Sequence, residues 1–174
     1  MQKSLDKIIK WFNKKGWEPF PFQKDVWNKY LNGKSGLIHA STGTGKTYAA
    51  FFGPVIEYLS TSEKKNKKSA ESIHVLWITP LRALATDTNE ALQKAVEELN
   101  LNWSVEKRTG DTSSTVRTRQ SKKLPTVLIT TPESLSLLLS YPNSKELFKS
   151  LKLIVADEWH ELMGSKRGVL TELA

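Results

Sequence analysis

Leu5, Ile8, Ile9 and Phe12 recur at i, i+3, i+4 and i+7, the spacing of one helical face, so the chain opens on a helix. Gly16 to Phe22 is aromatic and broken by prolines, which reads as a loop. Gln23 to Leu31 is helical again, and Asn32-Gly33 ends it. A short apolar run from Gly36 to Ala40 predicts a strand. It leads through a Gly/Thr-rich loop into an apolar helix from about Lys46 to Leu59. Residues 61–72 are polar and lysine-rich and read as a solvated surface loop.

Ile73 to Ile78 is a predicted strand. Leu81, Leu84, Ala85, Thr88, Leu92, Ala95, Val96 and Leu99 then keep helical register over about five turns. Trp103–Lys107 is a strand, Thr112–Lys123 a basic helix or turn, Val127–Thr130 a strand and Pro132–Leu139 a helix. Leu151 to Ala156 is an apolar strand broken only by Lys152. Strand and helix alternate about five times. The strands are short and apolar on both faces, as in a parallel sheet covered by helices on each side, which predicts an α/β fold.

Length and composition narrow this picture. The 174 residues suffice for one domain with a hydrophobic core. With 39% hydrophobic and 25% charged residues the chain reads as soluble and globular, and no apolar run approaches the roughly 20 residues of a bilayer span. The N-terminus alternates charged and apolar residues and has no continuous hydrophobic core of a signal peptide. The absence of cysteine excludes disulfides and thiolate metal sites and agrees with a cytoplasmic location. A net charge of +8 favours a polyanionic partner, since Lys and Arg release counterions from phosphates, although a soluble basic protein fits the charge equally.

Candidate chemistry begins at Ala40-Ser41-Thr42-Gly43-Thr44-Gly45-Lys46-Thr47, between a predicted strand and a predicted helix. This is the context of a phosphate-binding loop. Gly43 and Gly45 permit a tight turn whose N–H groups face phosphate oxygens, and the helix N-terminus adds positive potential. Lys46 reaches the β- and γ-phosphates, and the Thr47 hydroxyl suits Mg2+. Ala40 stands where the usual pattern begins with glycine, a position that packs rather than touches phosphate. Downstream, Leu151–Ala156 delivers Asp157 and Glu158 at its C-terminal end, the edge at which open α/β sheets bind ligands. Asp157 suits Mg2+ through water, and Glu158 can orient and deprotonate an attacking water.

Gln23 lies 23 residues before Lys46, behind Trp17, Phe20 and Phe22. Its carboxamide matches the N6 and N7 edge of adenine, and a nearby ring can stack on the base. Alternatively the rings are core and Gln23 only starts a helix. Ile78-Thr79-Pro80-Leu81-Arg82 and Ile129-Thr130-Thr131-Pro132-Glu133 each run strand, Thr, Pro, helix. Threonine is a good N-cap and proline suits the first helical turn. Each segment thus builds a helix start whose free N–H groups can grip a nucleic-acid phosphate, or is simply well capped. Thr109-Gly110-Asp111-Thr112, followed by Arg117 and Arg119, is a further backbone-contact turn or a solvated basic face.

Asp157-Glu158-Trp159-His160 resembles the DExH box of superfamily-two helicases. The resemblance runs from about Pro19 onward. The stretch from Thr126 through DEWHELMGSKRGV is similar to the Lhr-like helicases, and nearest their ligase-associated subgroup in bacterial DNA repair. It implies a RecA-like P-loop NTPase fold and ATP with Mg2+. It also implies translocation 3′ to 5′ along single-stranded DNA with duplex unwinding, and DNA ligase or nuclease partners. By the same resemblance Gln23 reads adenine, and Thr79, Pro80, Arg82, Thr131, Pro132 and Glu133 correspond to motifs Ia and Ib. Thr109 and Gly110 correspond to the turn between them, and His160 relays nucleotide state to a neighbouring strand rather than binding metal. Residues 1–174 contain no Ser-Ala-Thr motif, no second RecA-like domain and no arginine finger. In the family's fold the strand after the DExH box inserts between the P-loop and DExH strands. A gap or depleted sheet centre, or an abnormal meeting of the P-loop and DExH strands, is therefore expected of these residues alone, with marginal stability and negligible turnover. RNA as the substrate, or a P-loop ATPase of another class, are the alternatives.

Overall fold

A computed structural model describes residues 2–65, 72–162 and 166–173. The chain divides into two compact units, 1–68 and 69–174.

The first unit is helical: α1 (Gln2–Lys14), α2 (Pro21–Leu31) and α3 (Lys46–Lys65). The apolar face read from Leu5 to Phe12 buries Ile8, Trp11 and Phe12. These join Trp27 of α2 and Ala49, Phe51, Phe52 and Val55 of α3. Edge-to-face contacts of Trp11 with Phe12, Tyr48 and Phe52 at 5.1–5.2 Å hold this aromatic core. At Gly53 α2 and α3 come so close that a Cβ would stand 2.7 Å from the Tyr30 ring. The Tyr30 hydroxyl donates to Glu57 at 2.8 Å. Burial, then this carboxylate, raises the Tyr30 phenol above its ordinary value.

Two expectations for this region change. α2 begins at Pro21, two residues before Gln23, because proline fits the first helical position. Gly36–Ala40 is not a strand: residues 34–40 carry no regular structure and Leu37 is 82% exposed. Backbone groups of a strand are satisfied by a neighbour, and none of the described strands pairs with this run. α3 also continues through 61–65, the start of the predicted lysine-rich loop; residues 66–71 of that loop lie outside the described residues.

The second unit is an α/β sheet. Its strands are β1 (Val75–Ile78), β2 (Val105–Arg108), β3 (Val127–Thr130) and β4 (Leu153–Ala156). They are all parallel, in the order β2-β3-β1-β4. The inner strands β1 and β3 are wholly buried, as continuous apolar runs predict. Leu76, Ile78 and Leu128 pack on one face with Leu135 and Leu138 of α6 (Pro132–Leu139). Leu147 and Phe148 of α7 (Ser144–Phe148) extend that cluster. α4 (Arg82–Glu98) packs against β2 and β3. α5 (Ser114–Gln120), α8 (Trp159–Leu162) and α9 (Lys166–Leu173) complete the unit.

Four strands are described where five were expected, and two are not apolar on both faces. β2 is half-buried. β4, predicted as a continuous buried strand, alternates half-buried and exposed residues and leaves Ile154 59% exposed. The cause is position: each occupies an edge of the described sheet.

Candidate nucleotide and nucleic-acid site

The phosphate-loop residues lie in the first unit. Gly43 and Gly45 have φ of 78° and 80°, the left-handed region that glycine enters without penalty. Thr44 Oγ1 donates to the Ser41 carbonyl at 2.7 Å. Lys46, the first residue of α3, donates from Nζ to the carbonyls of Ala40 at 2.8 Å and Ser41 at 3.4 Å. The ammonium thus lies against its own loop, held by neutral acceptors. Phosphate oxygens are charged and stronger acceptors. Ser41, Thr42 and Gly43 are exposed, and Thr47 is half-buried in the first turn of α3.

Gln23 serves this loop. Its side chain is 1% exposed. Oε1 accepts from Phe20 N at 2.9 Å, the return half of a capping box, and Nε2 donates to the Gly45 carbonyl at 2.9 Å. Gln23 is therefore a helix-start residue and a phosphate-loop support at once. A carboxamide has two donors and two lone-pair directions, so one of each remains, the pair that an adenine edge requires. The neighbouring rings are not core: Trp17 and Phe20 are 48% and 51% exposed, and Phe20 stacks on Phe22 at 6.0 Å.

The acidic pair lies in the second unit, at the C-terminal end of β4. Asp157 Oδ1 accepts from Glu158 N at 3.0 Å and Oδ2 from Trp77 Nε1 at 3.1 Å. Each oxygen keeps a lone pair. A single oxygen ligand of this kind suits Mg2+, which binds proteins through one or two carboxylates and takes its other ligands from phosphate and water. Glu158 has φ 47°, a left-handed conformation that is strained for a residue with a Cβ and recurs at functional positions. His160 brings Nδ1 within 3.4 Å of Glu158 Oε2.

Because all four strands are parallel, their C-terminal ends share one rim. Along it run Gly110 after β2, Thr131-Pro132 after β3, Thr79-Pro80 after β1 and Asp157-Glu158 after β4. A groove of about 660 Å³ on this unit is lined by Pro80, Arg82, Gly110, Thr131 and Glu133. It collects five of the residues predicted to contact nucleic acid. Its charged lining is Arg82, Arg108, Arg117 and Arg167 against one carboxylate, Glu133, which favours a polyanion.

The residues divide by role. Thr79, Thr109 and Thr131 are buried, as is Pro132, and of these Thr131 lines the groove. Arg82 and Glu133 are exposed. The Arg82 guanidinium lies over Gly110 so closely that a Cβ there would overlap it. The turn is knit by Thr109 Oγ1 donating to Asp111 and by Thr109 N donating to Thr112 Oγ1 at 2.9 Å. The Thr109 hydroxyl, first of several causes, holds the Asp111 carboxyl below its ordinary range.

Thr79 is not the cap of α4. Its N–H donates to the Thr130 carbonyl at 3.0 Å, prolonging the sheet, and extended Leu81 becomes the N-cap. Thr131 does precede α6 with Pro132 in the first turn, yet its hydroxyl makes no capping bond and meets Ser134 Oγ at 3.3 Å.

Two groove arginines, Arg108 and Arg167, were not assigned from sequence, whereas Arg117 belongs to the basic turn read there. Arg108, 3% exposed, donates to the Arg117 carbonyl at 3.2 Å and the Tyr141 hydroxyl at 2.9 Å. Arg117 donates to the carbonyls of Thr109 and Gly110. Arg167 of α9 donates to Glu133 Oε1 at 2.6 Å and the Pro80 carbonyl at 3.1 Å, tying the two Thr-Pro segments together. Partial burial pushes the Glu133 carboxyl up, but its own backbone N–H, Arg167 and Thr131 outweigh this and hold it low. Arg167 sits in the GSKRG stretch, whose lone arginine next to glycine was the available signal.

The model of the DEAD/DEAH box helicase family matches residues 20–174. The chain belongs to that family. It is 37% identical to the ATP-dependent helicase Lhr-Core of Sulfolobus acidocaldarius, over 92% of this chain and 19% of that protein. It is 35% identical to the Lhr-Core helicase of Methanocaldococcus jannaschii, over 98% and 21%. Among solved structures, the Mycobacterium smegmatis helicase Lhr bound to ssDNA and AMP-PNP matches with a TM-score of 0.73 and 32% identity, over 94% of this chain and 21% of that one. The Lhr-type resemblance and the RecA-like helicase fold read from sequence are borne out. The chain spans about a fifth of the length of these relatives. Among the described residues no helix is long and apolar enough to cross a membrane.

Proposed function

We propose that this chain is the ATP-binding first motor domain of a DEAD/DEAH box helicase that moves 3′ to 5′ along DNA in repair, with a second RecA-like domain completing the catalytic site. The observation that carries the reading is the shared rim, which sets the acidic pair and the arginine-lined groove on one edge of a parallel sheet. The ssDNA in the Mycobacterium Lhr structure favours DNA.

In this mechanism Lys46 and the N–H groups of the 41–47 loop would bind the phosphates of ATP, Gln23 would read adenine, and Thr47 and Asp157 would hold Mg2+. The metal supplies charge neutralisation at the phosphate oxygens. Glu158 takes a proton from the attacking water, and His160, beside it, relays the nucleotide state. Arg82, Gly110 and the helix starts at Leu81 and Thr131 hold backbone phosphates without reading sequence. A cytoplasmic location and a DNA ligase or nuclease partner follow from the Lhr-type reading.

ATP turnover by the full-length protein, with and without single strands, tests the proposal. Single-stranded DNA is expected to stimulate turnover more than RNA. Lys46→Ala should abolish nucleotide use, and Glu158→Gln should retain binding while lowering turnover by two orders of magnitude or more, roughly the worth of a general base. Turnover indifferent to any strand would reject the helicase reading; stronger stimulation by RNA would reassign the substrate.

A further inference from the structure

Among the described residues, Trp77 is the one large polar-tipped side chain on the two inner strands of the sheet. It lies in β1, is 1% exposed, and pairs in register with Val155 of β4, two residues before Asp157. Its indole N–H donates to Asp157 Oδ2 at 3.1 Å. A buried indole needs an acceptor for its only polar hydrogen, and here that acceptor is a carboxylate, which makes the bond charge-assisted. The other oxygen, Oδ1, is held by Glu158 N at 3.0 Å. Two donors on two oxygens fix the plane of the carboxylate, so it is oriented before any ligand arrives.

We propose that Trp77 is a positioning residue for Asp157, using its N–H to set the carboxylate for Mg2+. The inference rests on the reading of Asp157 as the metal-holding carboxylate. Partners that orient a metal ligand are typically worth 10–100-fold in metal affinity when removed. An indole-sized ring without the N–H would fill the same apolar space, so packing alone gives no reason for a nitrogen here. Trp77 therefore affects the metal-dependent part of nucleotide binding and leaves the metal-free part alone.

The test is binding of a fluorescent ATP analogue to the full-length protein, titrated with Mg2+ and repeated in EDTA. Trp77→Phe is expected to raise the half-saturating Mg2+ concentration about tenfold while the affinity in EDTA stays unchanged. Replacing Trp77 with benzothienylalanine keeps the shape of the side chain, removes only the N–H, and is expected to give the same shift even if the phenylalanine variant packs poorly. In an Asp157→Asn background neither change should add a further shift. Equal loss of affinity with and without Mg2+ in the benzothienyl variant would reduce Trp77 to a packing residue and overturn the inference. So would wild-type Mg2+ dependence in that variant. A wild-type protein indifferent to Mg2+ would remove the reading of Asp157 beneath it.

Discussion

Gly43 and Gly45 offer a controlled comparison inside one loop. Both are left-handed, with φ of 78° and 80°. A Cβ at Gly43 would meet nothing within 4 Å, whereas at Gly45 it would stand 2.7 Å from Gln23 Nε2. Alanine at either position forces a side chain into the left-handed region, at about 1–2 kcal/mol. At Gly45 the Gln23 amide must also move. That group is the end of a flexible chain, so the overlap itself is relieved easily. It is also buried and bonded to the Gly45 carbonyl and Phe20 N, and moving it surrenders one or two hydrogen bonds at roughly 0.5–1.5 kcal/mol each. Gly45→Ala should therefore destabilise the first unit by about 1–2 kcal/mol more than Gly43→Ala. Urea unfolding followed by tryptophan fluorescence reads this difference, since Trp11 and Trp27 lie in that unit's core. A double-mutant cycle with Gln23→Ala isolates it, because without the amide Gly45→Ala should behave like Gly43→Ala. Equal destabilisation by the two alanines, or an additive cycle, would refute the claim that Gln23 braces the phosphate loop.

Two further outcomes follow from side-chain geometry. Arg167→Ala should release Glu133 as an unpaired carboxylate in an arginine-lined groove and weaken single-strand binding, with Glu133→Gln in the same background restoring part of the loss; fluorescence anisotropy with a labelled oligonucleotide measures both. Tyr30 has a raised phenol value, so its contribution to stability is complete below an ordinary phenol's value of about 10 and is lost as pH rises through the raised one. Melting curves above that pH should thus fall more steeply for wild type than for Tyr30→Phe, and parallel curves would contradict the assignment.

How much of this was legible in the sequence depends on what each feature needs. β1, β3 and α6 were read nearly to the residue, because a strand with neighbours on both edges and a helix started by proline are written in local pattern. Gly36–Ala40 was misread because a strand is a property of a pair, and an apolar run does not record whether a partner ladders with it. The same limit hid the exposure of Ile154 on β4. The late start of α4 came from Thr79 bonding to Thr130, a contact between residues 51 positions apart that capping rules do not see. The loop glycines, Lys46 and the acidic pair were visible because their chemistry demands fixed residue types. The bracing role of Gln23, the groove arginines 108 and 167, and the indole on Asp157 depend on which side chains folding brings together.

In the proposed function Thr47 and Asp157, 110 residues apart in the sequence, would hold the same metal on the same triphosphate. Mn2+ binding followed by electron paramagnetic resonance, in the presence of a non-hydrolysable ATP analogue, addresses this directly. Thr47→Ala and Asp157→Asn should each weaken nucleotide-dependent Mn2+ binding, and the double variant should lose less than the sum of the two. Wild-type Mn2+ binding in Asp157→Asn, or strict additivity, would mean that the acidic pair and the lysine loop serve different sites.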